Sequence, residues 1–319
     1  MASKRIKVSS DIPATYHCMS RIAGKDHLLQ SVEREVFRRM MWKMADFCGV
    51  RVLTYAIMTN HFHILVCVPA EEEIEDSELL RRVGVLYGEE RAKVVEAGLR
   101  GEEADGIRRA YLARMGDVSQ FMKELKQRFS IWYNRTHGRV GTLWSERFKS
   151  VLVEGSGHAL RTVAAYIDLN PVRAGYCTDP KEYRFCGYAE ALAGGLMARE
   201  GLTRMMERQG WRHAAWEYRL LLFGKGYYTE AGRGGGMTWE QWREVRAKRG
   251  RLSLADALRC RVKYFTEGTI LGSRQFVEEQ FLRHREKFSE RRKSGARPMR
   301  GAEWEGLCTV RDLRRNVFG

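Results

Sequence analysis

The stretch TYAIMTNHFHILVCVP, residues 54–69, decides the fold prediction. Most of its residues are apolar, aromatic or β-branched, which is typical of strands, while the Thr59-Asn60 pair at its centre is typical of a turn. The pattern therefore predicts two adjacent strands, at 52–58 and 64–68, joined as a hairpin.

Two histidines stand just after this turn, at positions 61 and 63. Alternate residues of a strand point to the same face of a sheet. His61 and His63 are therefore expected side by side, with Phe62 packed into the opposite face. Two neutral imidazoles on a rigid strand are a good start for a divalent metal site, but two ligands are rarely enough. A third ligand has to come from elsewhere in the chain.

The 319-residue chain is strongly basic, with a net charge of +16 and a pI near 9.7. This balance favours a polyanionic partner, usually nucleic acid and less often an anionic membrane; the alternative is an idle basic surface. The sequence contains no run of eighteen apolar residues, so no membrane span is predicted, and the first residues lack an apolar signal core. Seven cysteines without a CxxC pair indicate reduced, cytosolic thiols.

Three further elements are predicted before residue 140. Residues 14–22 have strand character and include His17, which we interpret as a packed or surface histidine rather than a metal ligand. Apolar residues recur every three or four positions in 28–48, which predicts a helix ended by Gly49. A second amphipathic helix is predicted at 117–135, and its apolar stripe favours core packing over base stacking.

Basic residues in this region are candidates for DNA contact. A strand predicted at 142–155 places Arg147 and Lys149 on one face, where they either hold a phosphate backbone or form a solvated strand edge. Lys123 and Lys126 lie on the polar part of the second helix and are further candidates.

A third helix is predicted at 158–172, and Pro171 should end it. Tyr166 and Asn170 are four residues apart and so lie on one face of this helix, whereas Asp168 falls on another. The phenol and the amide could meet the histidine pair if the helix packs across the sheet. Taken alone, Tyr166 has the character of a partly buried packing tyrosine.

The composition predicts three units. Residues 1–190 form the first unit, with an exposed helical insertion at about 70–116 that begins with an acidic run. Residues 191–237 form a helical connector that ends in a Gly-rich linker. Residues 238–319 contain twenty Lys or Arg and only eleven Asp or Glu. They form either a DNA-binding, helix-turn-helix-like module or a basic helical tail.

Three segments together resemble the tyrosine transposases of the His-hydrophobic-His (HUH) endonuclease superfamily, and most closely the REP-associated tyrosine transposases. The segments are YAIMTNHFHILVCVP, GTLWSERFKS and YIDLNPVRAG, in this order along the chain. The resemblance covers about residues 10–190. The long insertion at 70–116 and the residues after Gly195 depart from the family pattern. These departures bear on whether the protein dimerises and which DNA target it selects more than on its chemistry.

The resemblance implies an α+β fold with a ferredoxin-like antiparallel sheet and helices on one face, and the predicted element order is close to β-α-β-β-α-β. It implies Mg²⁺ or Mn²⁺ held by His61, His63 and Asn170, with Tyr166 as the nucleophile that forms a 5′-phosphotyrosine bond. Arg173 follows in the same segment and is a DNA-contact candidate. The expected partner is single-stranded DNA with a hairpin, in the cytoplasm at the nucleoid, for a monomer or a homodimer.

Three alternatives compete with this prediction. A DNA-binding regulator would keep the fold without catalysis, and a metal-dependent nuclease would use water in place of Tyr166. A replication or conjugation initiator of the same superfamily would share the chemistry, but the segment YIDLNPVRAG argues against it. No GxxxxGK[ST] motif is present, and a covalent phosphotyrosine would conserve the energy of the phosphodiester without ATP.

Overall fold

An antiparallel sheet built around β1 and β3 forms the centre of the computed structural model, which describes residues 6–223 and 253–311. Four strands follow the order β2-β3-β1-β4, and each neighbouring pair is antiparallel. With the helices that connect them, these strands give the predicted ferredoxin-like arrangement, and the α+β class is confirmed. The four strands are β1 (Ala14–Arg21), β2 (Arg51–Ile57), β3 (His61–Val68) and β4 (Lys149–Val153).

Residues 253–311 extend this sheet beyond β4. Strand β5 pairs with β4 in parallel, and β7 and β6 follow it at the edge. The described part of the predicted basic helical module therefore also contributes strands, which are too short for a sequence pattern to reveal. Their bounds are β5 (Ile270–Gly272), β6 (Arg297–Pro298) and β7 (Cys308–Thr309).

Helices cover both faces of the sheet, whereas the sequence prediction placed them on one. Phe62 of β3 packs against Phe37 of α1 (Ser31–Cys48), and Phe37 packs against Phe129 of α5 (Val118–Thr136). On the opposite face, Tyr166 of α6 (Gly157–Asp168) lies beside His63. The physical reason is that β3 is apolar on both faces and nearly every residue of it is buried, so each face needs a cover.

Local signals act at the ends of α1, α5 and α6, although only the glycine and proline signals were predicted. Gly49 ends α1 in the left-handed conformation with φ of +67°, which a residue without a Cβ atom adopts at low cost. Asp117 begins α5, since its carboxylate accepts hydrogen bonds from the backbone N–H groups of Ser119 and Gln120. Helix α6 ends at Asp168 and does not run to residue 172 as predicted, and Pro171 lies in a further turn, α7 (Asn170–Arg173).

The segment at 70–116 is helical, as predicted, and its first helix packs against α1. Arg81 of this helix donates a hydrogen bond of 2.5 Å to Asp46 of α1. The acidic residues 71–73 are exposed or partly exposed, which fits a solvated surface. The three helices are α2 (Asp76–Tyr87), α3 (Glu89–Gly98) and α4 (Ala104–Leu112).

The remaining helices lie within residues 187–223 and 254–283, and α9 packs on β2. The predicted Gly-rich linker at 232–236 lies outside the described residues. No helix within 6–223 or 253–311 combines the length and apolar character that crossing a membrane requires. The remaining helices are α8 (Gly187–Leu192), α9 (Leu196–Met205), α10 (Trp211–Phe223), α11 (Leu254–Arg259), α12 (Lys263–Glu267) and α13 (Arg274–Arg283).

The carboxylate of Asp168 joins α6 to its neighbours. It accepts hydrogen bonds from the hydroxyl of Thr54 at 2.8 Å, from the backbone N–H of Tyr188 at 3.0 Å and from the hydroxyl of Tyr218 at 2.5 Å. Asp168 is fully buried, and burial raises its pKa to about 6 although the three donors act in the opposite direction. One side chain thus ties α6 to β2, α8 and α10.

Replacing Asp168 by alanine should destabilise the fold strongly. Three buried donors would lose their acceptor, so we expect the free energy of unfolding to fall by about 3 kcal/mol. Urea denaturation followed by circular dichroism measures the change. Asp105→Ala is the matched control, since Asp105 is exposed on α4 and should change stability by less than about 0.5 kcal/mol. Equal stability of the two variants would contradict the role given to Asp168.

Candidate functional site

The histidine pair lies on one face of β3, as strand alternation predicts. The ring centroids of His61 and His63 are 5.3 Å apart with an interplanar angle of 84°. His63 is buried beneath α6, while His61 is half-buried at the start of the strand. The two imidazoles therefore form a rigid pair at the end of the sheet.

Hydrogen bonding defines which nitrogen of His61 carries the proton. The Nδ1 atom of His61 lies 2.7 Å from the side-chain oxygen of Asn60. An amide oxygen only accepts hydrogen bonds, so Nδ1 of His61 is the donor. The Nε2 atom of a neutral His61 is then left with a lone pair, which is what a metal ligand needs.

His17 is a member of the site that the sequence prediction did not include. It is fully buried, which fits the packed histidine expected there, but its Nε2 atom lies 2.8 Å from Nδ1 of His63. Its Nδ1 atom lies 2.9 Å from the carbonyl oxygen of Phe265 in α12. The signal that could have found it is strand register: Met19 of β1 stands opposite His63, and His17 lies two residues away on the same face.

All three histidines are held in the neutral form. Burial lowers the pKa of His17 to about 3. Burial also lowers the pKa of His61 to about 3, with a further contribution from the positive charge of Arg21. The pKa of His63 is well below its ordinary value because of burial and, to a smaller extent, the neighbouring His17. Neutral imidazoles at physiological pH are competent metal ligands.

Tyr166 lies on α6 beside the histidines, as the sequence prediction required. Its ring centroid is 6.3 Å from that of His63 and 6.4 Å from that of His17. The ring of Phe265 packs against it at 4.6 Å, and the guanidinium carbon of Arg173 lies 3.9 Å from its centroid. Only 2% of Tyr166 is exposed, so residues from α7 and α12 cover the candidate nucleophile.

Asn170, the predicted third ligand, is buried one turn after Tyr166. Its side-chain nitrogen donates to the backbone carbonyls of Ile167 at 3.1 Å and Tyr166 at 3.3 Å. These bonds fix the orientation of the amide and leave its oxygen, the atom that could bind a metal, as the remaining acceptor.

The three candidate donor atoms are of types that bind divalent cations. Two imidazole Nε2 lone pairs and one amide oxygen are ligands that Mn²⁺ and Mg²⁺ accept, with nitrogen favouring Mn²⁺. Among residues 6–223 and 253–311, no group of three or more His, Cys, Asp or Glu side chains is arranged to hold a metal ion. The candidate set therefore depends on the amide of Asn170 as its third member.

The structure separates the predicted DNA-contacting cations. The sequence prediction placed Arg147 and Lys149 on one strand face, and this is wrong. Strand β4 begins only at Lys149, so Arg147 lies in the bend before it. Both side chains are exposed, and the amine of Lys149 lies 2.9 Å from Glu146. Lys123 is exposed on α5, which covers the sheet face opposite the histidines.

Two other predicted cations have internal partners. Lys126 is buried, and its amine donates to the carbonyl of Glu146 at 2.8 Å, so it holds the loop before β4. Arg173 donates to the carbonyls of Leu258 and Tyr166, each at 2.7 Å, and is half-buried. Arg173 thus links α6 and α7 to α11.

Two exposed arginines near the histidines were missed by the sequence prediction. Arg21 ends β1 directly opposite His61, and its charge contributes to the low pKa of both His61 and His63. The charge of Arg261, which lies between α11 and α12, also acts on His61. Strand register could have revealed Arg21, whereas the position of Arg261 depends on how residues 253–311 pack.

Comparison with solved structures finds similarity to a REP-associated tyrosine transposase bound to a REP hairpin. The likeness has a TM-score of 0.41 and 15% sequence identity, and it covers 61% of this chain and 88% of that chain. No protein-family model matches the sequence. No curated protein matches it either. The likeness concerns structure alone.

Removing one histidine of the pair should weaken metal binding. We expect His63→Ala to lower Mn²⁺ affinity by at least about tenfold, because one of two strong nitrogen donors is lost. The amount of free Mn²⁺ at increasing protein concentration, read by electron paramagnetic resonance, gives the affinity. His213→Ala is the control, because His213 is exposed on α10 away from the pair. Unchanged affinity in His63→Ala would refute this assignment.

Proposed function

We propose that this protein cleaves and rejoins single-stranded DNA through a covalent 5′-phosphotyrosine bond at Tyr166. The observation that carries the proposal is the placement of the Tyr166 ring 6.3 Å from His63, on the sheet face that presents both histidines of the pair. A phenol beside two neutral imidazoles with free Nε2 atoms combines a nucleophile with a candidate metal site.

In the proposed reaction, the phenol oxygen of Tyr166 attacks the scissile phosphorus. The bond between phosphorus and the 3′ oxygen breaks, and the departing oxygen gains a proton while the phenol loses one. The reverse attack by a 3′-hydroxyl rejoins the strand. Because one phosphodiester replaces another at each step, the reaction needs no nucleotide cofactor.

His61, His63 and Asn170 would hold Mg²⁺ or Mn²⁺. When bound, such a cation polarises the scissile phosphate and offsets the charge of the transition state. The role of the protein is to keep both imidazoles neutral and oriented. Burial achieves the first, and the hydrogen bonds to Asn60 and His17 achieve the second.

Cations around the pair support a phosphate backbone as the ligand. Arg21 of β1 is paired with His61 of β3. Met19 of β1 is paired with His63 on one side and with Lys149 of β4 on the other. Both basic residues therefore belong to the sheet face that carries the histidines. Arg261 adds a third exposed charge. We propose that these three side chains bind phosphates on either side of the cleavage point.

The proposal that the DNA is single-stranded and carries a hairpin rests on the resemblance of the segments at 55–69, 141–150 and 166–175 to the tyrosine transposases. The net charge of +16 supports nucleic acid as the ligand class, but it does not select one form of it.

One observation favours a second candidate function, a DNA-binding regulator without cleavage. Tyr166 is only 2% exposed, and Phe265 packs against its ring. Phosphorus has to reach the phenol oxygen for cleavage, so the cleavage proposal includes displacement of side chains that pack around the Tyr166 ring when DNA binds. A regulator would need no such displacement.

A covalent-adduct assay tests the proposal. Labelled single-stranded hairpin oligonucleotides from the flanks of the gene are incubated with protein and Mn²⁺ or Mg²⁺ and separated on a denaturing gel. We expect label that migrates with the protein, that disappears with EDTA, and that falls to background in Tyr166→Phe. Tyr176→Phe is the matched control, because Tyr176 is 44% exposed and lies ten residues later; it should retain the adduct.

The other outcomes of this assay each identify a competing function. Cut DNA without any adduct would contradict the proposal and indicate a nuclease that uses water. Bound but uncut DNA in a native gel, with several flanking sequences tried, would indicate the regulator. An adduct that survives in Tyr166→Phe and is lost in Tyr176→Phe would transfer the nucleophilic role to Tyr176.

A further inference from the structure

We infer that His17 is a positioning residue of the candidate metal site, which holds His63 in the tautomer whose Nε2 atom carries the lone pair, and that residues 253–311 fix His17 in turn. The inference deepens the proposed function and rests on it for the identity of the ligands. It concerns a chain of three hydrogen-bonding groups that runs from the carbonyl of Phe265 through His17 to His63.

The chain begins at α12, a helix of five residues. The last carbonyls of a helix have no partner within it, and the carbonyl of Phe265 is one of these. It lies 2.9 Å from Nδ1 of His17. A carbonyl oxygen only accepts hydrogen bonds, so the proton of the His17 ring is on Nδ1.

The second step determines the proton position on His63. A neutral His17 with its proton on Nδ1 has a lone pair on Nε2, and this atom lies 2.8 Å from Nδ1 of His63. His63 therefore has to donate from Nδ1, which leaves the lone pair of its own ring on Nε2. The full burial of His17 excludes a charged ring that could donate from both nitrogens.

His61 reaches the same state independently, through its bond to the oxygen of Asn60. Both histidines of the pair thus have their protons on Nδ1 and their lone pairs on Nε2 before any cation arrives. With the other tautomer of His63, a proton would occupy the nitrogen that has to bind the metal. Outer hydrogen-bonding partners of this kind orient ligands and raise their affinity for metals.

The turn after α12 holds the Phe265 carbonyl in place. Thr269 has a φ of +67°, a strained conformation for a β-branched residue, and its carbonyl accepts a hydrogen bond of 2.9 Å from the N–H of Leu152 in β4. A Cβ atom at Gly268 would come within 2.3 Å of the carbonyl oxygen of Tyr264, so only glycine fits there. Residues 253–311 are therefore docked on β4 in a way that sets the histidine tautomers.

Nuclear magnetic resonance of the unmodified protein tests the tautomers directly. Two-bond proton–nitrogen spectra of the full chain labelled with ¹⁵N-histidine, recorded at pH 7.5 without metal, distinguish a protonated ring nitrogen from one with a lone pair. The signals of His17 and His63 are assigned by their loss in His17→Gln and His63→Gln. We expect both rings with the proton on Nδ1. A His63 ring with its proton on Nε2 would overturn the inference.

Mn²⁺ affinity supplies the second readout, again without DNA. His17→Phe keeps a ring but has no acceptor for His63, so we expect affinity to fall about tenfold. His17→Gln keeps an acceptor oxygen and should lose less. Wild-type affinity in a His17→Phe variant that retains the native circular dichroism spectrum would overturn the inference, as would an equal loss in both variants. If His17→Phe does not fold, the spectra of the unmodified protein decide the question.

Failure of this inference is distinguishable from failure of the proposed function. The tautomers and the Mn²⁺ affinity are measured without DNA, so an absent phosphotyrosine adduct would refute strand cleavage and leave the role of His17 intact. Conversely, an adduct at Tyr166 together with the wrong tautomer of His63 would support cleavage and remove the role proposed for His17.

Discussion

The register between β1 and β3 is the constraint on which the rest of the site depends. It sets Met19 opposite His63 and Arg21 opposite His61, and it leaves His17 diagonally across from His63 on the same face. A slip of one residue would turn His17 and Arg21 to the face covered by α1 and α5. Phe62 on that face packs against Phe37 of α1, and the loss of such contacts resists a slip.

Because the site is buried, its polar groups need hydrogen-bond partners within the protein, and some of these partners are distant in the sequence. An unpaired polar group in the position of His17 would cost roughly 1–3 kcal/mol, yet both of its ring nitrogens have partners. One of these partners, Phe265, is 248 residues away in the chain. Phe265 also packs on Tyr166, and Leu258 accepts a hydrogen bond from Arg173. Residues 253–311 are thus part of the site, although the chemical motifs all precede residue 176.

The sequence predicted those features that depend on local patterns. The histidine hairpin, the end of α1 at Gly49 and the amphipathic helix α5 follow from alternation, a helix-ending glycine and apolar periodicity. Features that depend on long-range packing were not predictable in this way. The contact of His17 with His63 requires the strand register, and β5 is three residues long, which is too short to show alternation. The burial of Lys126 depends on the bend before β4, which the sequence prediction treated as strand.

Tyr166 is the proposed attachment point of the DNA, and mass spectrometry of the trimmed adduct is the most direct test of this assignment. Adduct formed with unmodified protein is digested with nuclease and then with trypsin. The peptide Thr162–Arg173, TVAAYIDLNPVR, contains Tyr166 as its single tyrosine. We expect this peptide with the added mass of a nucleotide joined to it through its 5′-phosphate. The same added mass on the following peptide, which contains Tyr176, or on any other peptide would contradict this assignment.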